Sequence, residues 1–171
     1  MRNMNIQDVS SQLPFKGSIG RRTKSDIKYV VVHHDASLAP DKYDAIELYK
    51  REAEYHIAKG WGHIGYSFRI ARDGSIYQVL PFEEIGAHAG NIKYFHNSMG
   101  VCLDGDLTRQ KPSQAQLNAL GSLMDHFSYH SPSLPEIVRK SWYAHKEVRS
   151  APTACPGPDI TKIVQSYRNN V

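Results

Sequence analysis

The sequence lacks the features of a membrane-spanning or secreted protein. No run is long and apolar enough to cross a bilayer, and residues 1–9 lack the apolar core of a signal peptide. These absences predict a protein that is made in the cytoplasm, does not insert into a membrane and needs another factor for release if it acts outside. The net charge of +4 comes from scattered basic residues, and no nucleic-acid-binding motif is present. We therefore expect no nucleic-acid partner.

Cysteine is also scarce, since the chain has only Cys102 and Cys155. An even number of cysteines makes one disulfide possible, but a reducing compartment disfavours a bond between them. Cys102 lies in an apolar, strand-like segment, whereas Cys155 lies in a loop flanked by proline and glycine. We expect both thiols to remain unpaired.

The length and composition suit one globular α/β domain. The 171 residues are 40% hydrophobic and 22% charged, and they contain no repeat or low-complexity tract. We interpret residues 1–26 as an N-terminal arm packed on a domain that comprises residues 27–171. The order of predicted elements favours a central mixed β-sheet with helices on its faces.

Local patterns predict the elements of this domain. A β-branched run over 27–33 is typical of a strand buried on both faces. Residues 65–70 and 75–79 flank an Asp-Gly turn, which predicts a hairpin. Further strands are predicted at 98–103 and 142–145, and helices at 43–59, from Ser113, from Ser133 with Glu136 as capping partner, and at 159–168. The long loop over 81–97 has a length that is usual for functional segments.

Three residues far apart in the sequence have side chains that suit a zinc site. His33 ends the first strand, and His145 and Cys155 follow more than a hundred residues later. Two imidazoles and a thiolate suit Zn²⁺, and three protein ligands leave a fourth position for water, as in catalytic sites. Adjacent strand residues point to opposite faces, so His33 and His34 cannot both reach one ion. If the three side chains converge, the protein is a metal hydrolase.

Other interpretations of these residues stay open. A histidine at a strand end often has only a structural role. Cys155 is alternatively a small buried apolar residue, or a nucleophile paired with His145. The segment Pro156-Gly157-Pro158 favours a turn that aims the cysteine side chain. A chelator distinguishes the metal hydrolase from the enzyme with a cysteine nucleophile, because it inactivates only the metal enzyme.

Five segments give the chain a family resemblance. They occur in one order within residues 27–165: Val32–Ser37, Gly65–Phe68 with Arg72–Gly74, Gly86–Ala89, Asn97–Gly105, and Ala144–Gly157. With these segments the chain resembles zinc-dependent N-acetylmuramoyl-L-alanine amidases of the phage-lysozyme and peptidoglycan-recognition-protein type. Each segment alone is weak, but five in sequence are highly specific.

The resemblance implies a zinc site in a groove at the strand ends, with His33, His145 and Cys155 as ligands. The bond cut would be the amide between the lactyl group of N-acetylmuramic acid and L-alanine of the stem peptide. Tyr66 falls on the family's active-site tyrosine and is expected to donate a hydrogen bond and conduct a proton. Thr153 would help to hold the oxyanion, but only through a neutral hydrogen bond.

The resemblance also implies substrate contacts. We expect His88 and Asn97 to line the groove, and Trp61 to offer an aromatic wall to sugar or peptide, with a packing role for Trp61 equally open. The chain departs from the family pattern at one point: the interval from His145 to Cys155 is two residues longer than in the shortest phage members.

Three functions are compatible with this resemblance. The absent signal peptide favours a phage or prophage endolysin, a bacteriolytic and antimicrobial hydrolase that waits in the cytoplasm until the membrane is breached. A cytoplasmic amidase that recycles wall fragments is the alternative enzyme. Some relatives only bind peptidoglycan, typically after losing the cysteine ligand, so Cys155 favours catalysis. We expect a monomer with peptidoglycan as its partner; contact with a host RNA polymerase, as in some phage relatives, is not tested by the sequence.

Overall fold

The structure is a computed structural model that describes residues 4–131, 134, 135, 137 and 139–170. The predicted short helix beginning at Ser133, with Glu136 as its capping partner, lies outside the described residues. No helix in the described part is both long and apolar enough to span a membrane.

The described residues form one mixed sheet of six strands. The strands are β1 (Ile6–Asp8), β2 (Tyr29–His34), β3 (Phe68–Ile70), β4 (Ile76–Gln78), β5 (Ser98–Leu103) and β6 (Trp142–Ala144). Their spatial order is β1-β4-β3-β5-β2-β6, and every neighbouring pair is parallel except β3 and β4. The β3–β4 pair is the predicted hairpin. The predicted α/β fold with a mixed sheet is therefore confirmed.

Helices connect the strands and cover both faces of the sheet. The α-helices are α1 (Ala45–Ala58), α2 (Gln114–Asp125), α3 (His145–Val148) and α4 (Pro158–Asn169). Shorter 3₁₀ segments lie at Ser10–Gln12, Lys24–Asp26, Ile92–Tyr94 and Arg139–Ser141, and a π-helical turn at His126–His130 extends α2. The predicted capping box is confirmed, because Ser113 and Gln116 cap the start of α2 reciprocally.

The two faces of β2 have different surroundings. Val30 and Val32 join the main apolar core together with Leu120 of α2 and Ile160 of α4. Because successive side chains of a strand point to opposite faces, His33 points to the other face of the sheet, which α1 covers. The strand pattern places His33 at the C-terminal end of β2 on the side of the sheet where a groove can form.

The N-terminal arm contributes to the sheet, which the sequence analysis did not predict. Ile6–Asp8 forms an edge strand that pairs in parallel with β4, with Ile6 opposite Ile76. The strand has only three residues, all partly or fully exposed, so its sequence shows no alternation of apolar and polar residues. Its pairing with β4 is therefore visible only in the structure.

Candidate metal centre

Parallel strand pairing brings the two histidines together. In the register of β2 and β6, Val32 lies opposite Ala144. His33 directly follows Val32, and His145 directly follows Ala144. Both strands run in the same direction, so both imidazoles emerge at the same edge of the sheet. Cys155 reaches this edge from the loop before α4. Sequence-distant residues thus become neighbours through sheet topology.

The predicted trio converges in the structure. The ligand atoms of His33, His145 and Cys155 all lie within 4.8 Å of one another. Nδ1 of His33 is 3.9 Å from Sγ of Cys155, and the ring centroids of the two histidines are 4.2 Å apart. His34 faces away, as strand alternation predicts, and its Nδ1 accepts a hydrogen bond from the backbone N–H of Leu107. These three side chains could hold a metal ion.

Burial sets the protonation of the three groups. Burial lowers the pKa of His33 well below its usual value and, with help from Arg149, lowers that of His145 to about 4. Both imidazoles are therefore neutral at pH 7 and carry a lone pair. Burial also raises the pKa of the Cys155 thiol to about 12. A divalent cation would favour the thiolate, whereas this environment does not favour a free thiolate nucleophile.

One buried atom tests whether the site fits a metal. Nδ1 of His145 is shielded from solvent and has no hydrogen-bond partner among the described residues. Its other nitrogen, Nε2, lies 3.2 Å from the carbonyl oxygen of Ala89, which can only accept a hydrogen bond. The hydrogen is therefore on Nε2, and the orphaned Nδ1 carries a lone pair. Two imidazole nitrogens and a sulfur are a donor set that suits zinc.

Tyr66 lies beside the trio, as predicted. Its ring centroid is 5.1 Å from that of His33, and its side chain is half-buried. Burial raises the pKa of its hydroxyl well above the usual value of 10. The phenol therefore stays protonated at pH 7 and acts as a hydrogen-bond donor.

A cavity of about 720 Å³ lies beside Tyr66, although none of His33, His145 and Cys155 lines it. Tyr66 and Trp61 line it, together with residues of α1 and of the loop after β2. Trp61 packs against the ring of His56, with centroids 4.6 Å apart, while leaving part of its surface exposed. The predicted aromatic wall and the packing role of Trp61 are therefore both compatible with its position.

Two predicted substrate contacts lie away from this cavity. His88 is buried behind His33, with its Nδ1 2.9 Å from Nε2 of His33. The backbone carbonyl of Asn97 accepts hydrogen bonds from Lys28 and Tyr29 at the start of β2, the end opposite His33. Neither His88 nor Asn97 lines the cavity, because one is tucked under the site and the other lies a strand's length away.

Thr153 lies close to Cys155 in the chain and contacts its backbone. Its hydroxyl oxygen accepts a hydrogen bond of 3.2 Å from the backbone N–H of Cys155, and the residue is half-buried. This contact uses an oxygen lone pair and leaves the hydroxyl hydrogen for another acceptor. The position is compatible with the predicted hydrogen bond to an oxyanion.

A buried ionic network beside the site was missed by the sequence analysis. Arg69 of β3 is fully buried and contacts three carboxylates. These belong to Asp35 after β2, Glu52 of α1 and Asp104 after β5, and Asp104 also accepts from the hydroxyls of Tyr43 and Tyr49. The network ties α1 to the strand ends that carry the site. The available signal was an arginine inside the apolar strand Phe68-Arg69-Ile70.

Comparison with protein families gives a match over most of the chain. The family model described as N-acetylmuramoyl-L-alanine amidase matches residues 23–158. The chain is 29% identical over 147 residues to peptidoglycan-recognition protein SC2 of Drosophila simulans, covering 85% of this chain and 76% of that protein. It is 33% identical over 114 residues to the endolysin of Escherichia phage T7, covering 64% of this chain and 69% of the endolysin.

Solved structures share the fold. The N-acetylmuramoyl-L-alanine amidase LysC from Clostridium intestinale URNW matches with a TM-score of 0.73 at 21% identity, covering 99% of each chain. Peptidoglycan recognition protein-LE in complex with tracheal cytotoxin, a monomeric diaminopimelic acid-type peptidoglycan, matches with a TM-score of 0.75 at 26% identity, covering 94% of this chain and 92% of that one.

Proposed function

Because this chain belongs to the N-acetylmuramoyl-L-alanine amidase family, we propose that it is a zinc-dependent peptidoglycan hydrolase. It cleaves the amide between N-acetylmuramic acid and L-alanine of the stem peptide. The observation that carries this proposal is the convergence of His33, His145 and Cys155, with a buried and unpartnered Nδ1 on His145. A binding-only relative has no need of a complete set of three metal ligands.

The protein's own groups supply orientation and hydrogen bonds. Bound zinc lowers the pKa of a coordinated water and polarises a carbonyl oxygen. Tyr66 stays protonated and donates a hydrogen bond to the carbonyl oxygen as negative charge develops on it. Thr153 offers a second, weaker donor beside Cys155. As the amide bond breaks, Tyr66 would pass a proton from the attacking water to the leaving nitrogen of L-alanine, and its raised pKa argues against its acting as the resting base.

The cavity beside Tyr66 receives the substrate. Its volume of about 720 Å³ is of the size that encloses small ligands, and its walls combine aromatic and polar side chains. Trp61 offers one aromatic wall. The partner is therefore peptidoglycan, in keeping with a relative that was solved with a peptidoglycan fragment.

We favour an endolysin among the possible roles of such an amidase. The T7 phage endolysin is among the relatives. In this role the enzyme is held in the cytoplasm and reaches the wall on lysis. A recycling amidase would instead act on soluble wall fragments without lysing intact sacculi. Turbidity of a sacculus suspension, compared with turnover of soluble muropeptides, separates the two roles.

The proposal is tested by metal analysis combined with mass spectrometry of digested peptidoglycan. We expect about one zinc per chain and free stem peptides with new L-alanine N-termini. Cys155→Ala should lose both zinc and activity, while Cys102→Ala, which changes a buried thiol of β5, should keep both. Wild-type protein without stoichiometric zinc, or activity that survives a strong chelator, would contradict the proposal.

A further inference from the structure

We propose that the loop Gly86–Gly90 determines which nitrogen of each ligand histidine faces the metal, through the side chain of His88 and the carbonyl group of Ala89. This inference rests on the zinc site of the proposed function. It makes His88 a positioning residue that acts through His33 rather than a residue that touches substrate.

A series of hydrogen bonds determines which of His88 and His33 donates to the other. Ser98 Oγ lies 2.5 Å from the carbonyl oxygen of Tyr94, so the serine donates its only proton there. Its oxygen must therefore accept the Nε2–H of His88, 3.2 Å away. Neutral His88 then has its lone pair on Nδ1, which accepts the Nε2–H of His33 at 2.9 Å. The lone pair of His33 is left on Nδ1, the atom nearest Cys155.

Ala89, which follows His88, fixes the position of the ring hydrogen of His145 in the same way. The carbonyl oxygen of Ala89 accepts from Nε2 of His145 and leaves the buried Nδ1 without a hydrogen. Consecutive residues of one loop thus hold the Nε2–H groups of both ligands. Partners of this kind fix the tautomer and ring orientation of metal-binding histidines.

Contacts at both ends hold the loop against the rest of the site. A Cβ on Gly86 would lie 2.1 Å from the carbonyl oxygen of Gly65, so this approach requires glycine. At the other end Gly90 has a φ of +66° and accepts a hydrogen bond from the backbone N–H of Ser150, in the segment that follows His145. The loop is therefore attached to the same segment that carries one of the ligands.

A matched pair of variants tests the role of His88. Asparagine places an oxygen close to where His88 has Nδ1, whereas leucine has the same branched shape and no acceptor. We expect His88→Leu to weaken zinc binding by about 10–100-fold and His88→Asn to stay within a few-fold of wild type. Zinc affinity is measured by competition with a chromogenic chelator, and thermal unfolding of the zinc-free proteins shows that each variant folds. Equal affinities for the two variants would overturn the inference.

A second measurement needs no variant. In ¹⁵N-labelled, zinc-free wild-type protein, the ring nitrogen shifts of His33, His88 and His145 should show hydrogen on Nε2 in each case. Hydrogen on Nδ1 of His33 would overturn the inference even if both variants failed to fold. Wild-type protein that binds no zinc would contradict the proposed function, whereas wild-type protein that binds zinc with the Nδ1–H tautomer of His33 would contradict only the role of the loop.

Discussion

His33 and His145 have ring centroids 4.2 Å apart, although more than a hundred residues separate them in the chain. The cause is the parallel pairing of β2 with β6, in which each histidine directly follows a paired strand residue. Two neighbouring strands that end at the same level therefore place two of the three side chains that could hold a metal ion. The loop before α4 only has to deliver the sulfur of Cys155.

Replacing Tyr66 by Phe should lower turnover by about 10²–10³-fold, the usual cost of losing one donor to an oxyanion. The hydroxyl is not a ligand in the proposed site, so zinc content should not change. Initial rates on soluble muropeptides and metal analysis of the same sample measure both quantities. Tyr77→Phe, in β4 and outside the site, serves as the control. Full activity of the Tyr66 variant would remove this residue from the mechanism.

Zinc binding at about pH 6, where a zinc-bound water is still largely protonated, should release about one proton per protein. The pKa of His33 is well below its usual value and that of His145 is about 4, so both imidazoles are already neutral. The pKa of Cys155, about 12, means that its thiol supplies the proton. Calorimetry in two buffers with different ionisation enthalpies measures the number.

Zinc affinity should also depend on pH. As the pH falls through about 4, the imidazole of His145 takes up a proton and competes with the metal, so zinc affinity should fall more steeply with acidity there. Release of about two protons or more at pH 6 would instead show that the histidines are largely charged in the zinc-free protein.

Gly100→Ala should impair the site while leaving the fold intact. A Cβ at this position of β5 would lie 3.0 Å from Cγ of His88 and 3.2 Å from Cδ1 of Tyr66, so both rings must shift. We expect lower turnover, weaker zinc binding and a loss of about 1–3 kcal/mol in the free energy of unfolding. Gly121→Ala in α2, where a Cβ meets no atom within 4 Å, should stabilise the protein by up to about 1 kcal/mol. Equal behaviour of the two variants would contradict this account.

Arg69→Met should reduce the free energy of unfolding by about 3–5 kcal/mol, because it leaves buried carboxylates without their cation. Burial raises the pKa of the Glu52 carboxyl and Arg69 partly offsets this effect, so without the cation the folded-state pKa of Glu52 lies further above its unfolded value. Stability is then lost as the pH rises, so urea denaturation should show a larger deficit at about pH 8 than at about pH 5. Arg51→Met, at an exposed position of α1, should change stability by no more than about 0.5 kcal/mol. A deficit that does not vary with pH would argue against uncompensated carboxylates.

Residue chemistry and motif order were sufficient to predict that His33, His145 and Cys155 lie together, with Tyr66 beside them. The hydrophobic patterns predicted β2, the hairpin and most helices, because their periodicity reflects burial. Strand alternation also separated His33 from His34 correctly, as the contact of His34 with Leu107 shows.

The surroundings of the trio could not be read from the sequence. Any residue can supply a backbone carbonyl such as that of Ala89, so its role depends entirely on tertiary position. The contact of His88 with His33 likewise depends on how a loop folds under the sheet. The partners of Arg69 come from three separate elements, and β1 is too short and polar to show a period.

Anomalous diffraction at the zinc edge from crystals of the zinc-loaded protein tests the central claim most directly. The account predicts one strong peak at about 2.0–2.1 Å from Nδ1 of both His33 and His145 and about 2.3 Å from Sγ of Cys155. A zinc-loaded crystal with no peak among these three atoms, or with the ion bound elsewhere, would contradict it.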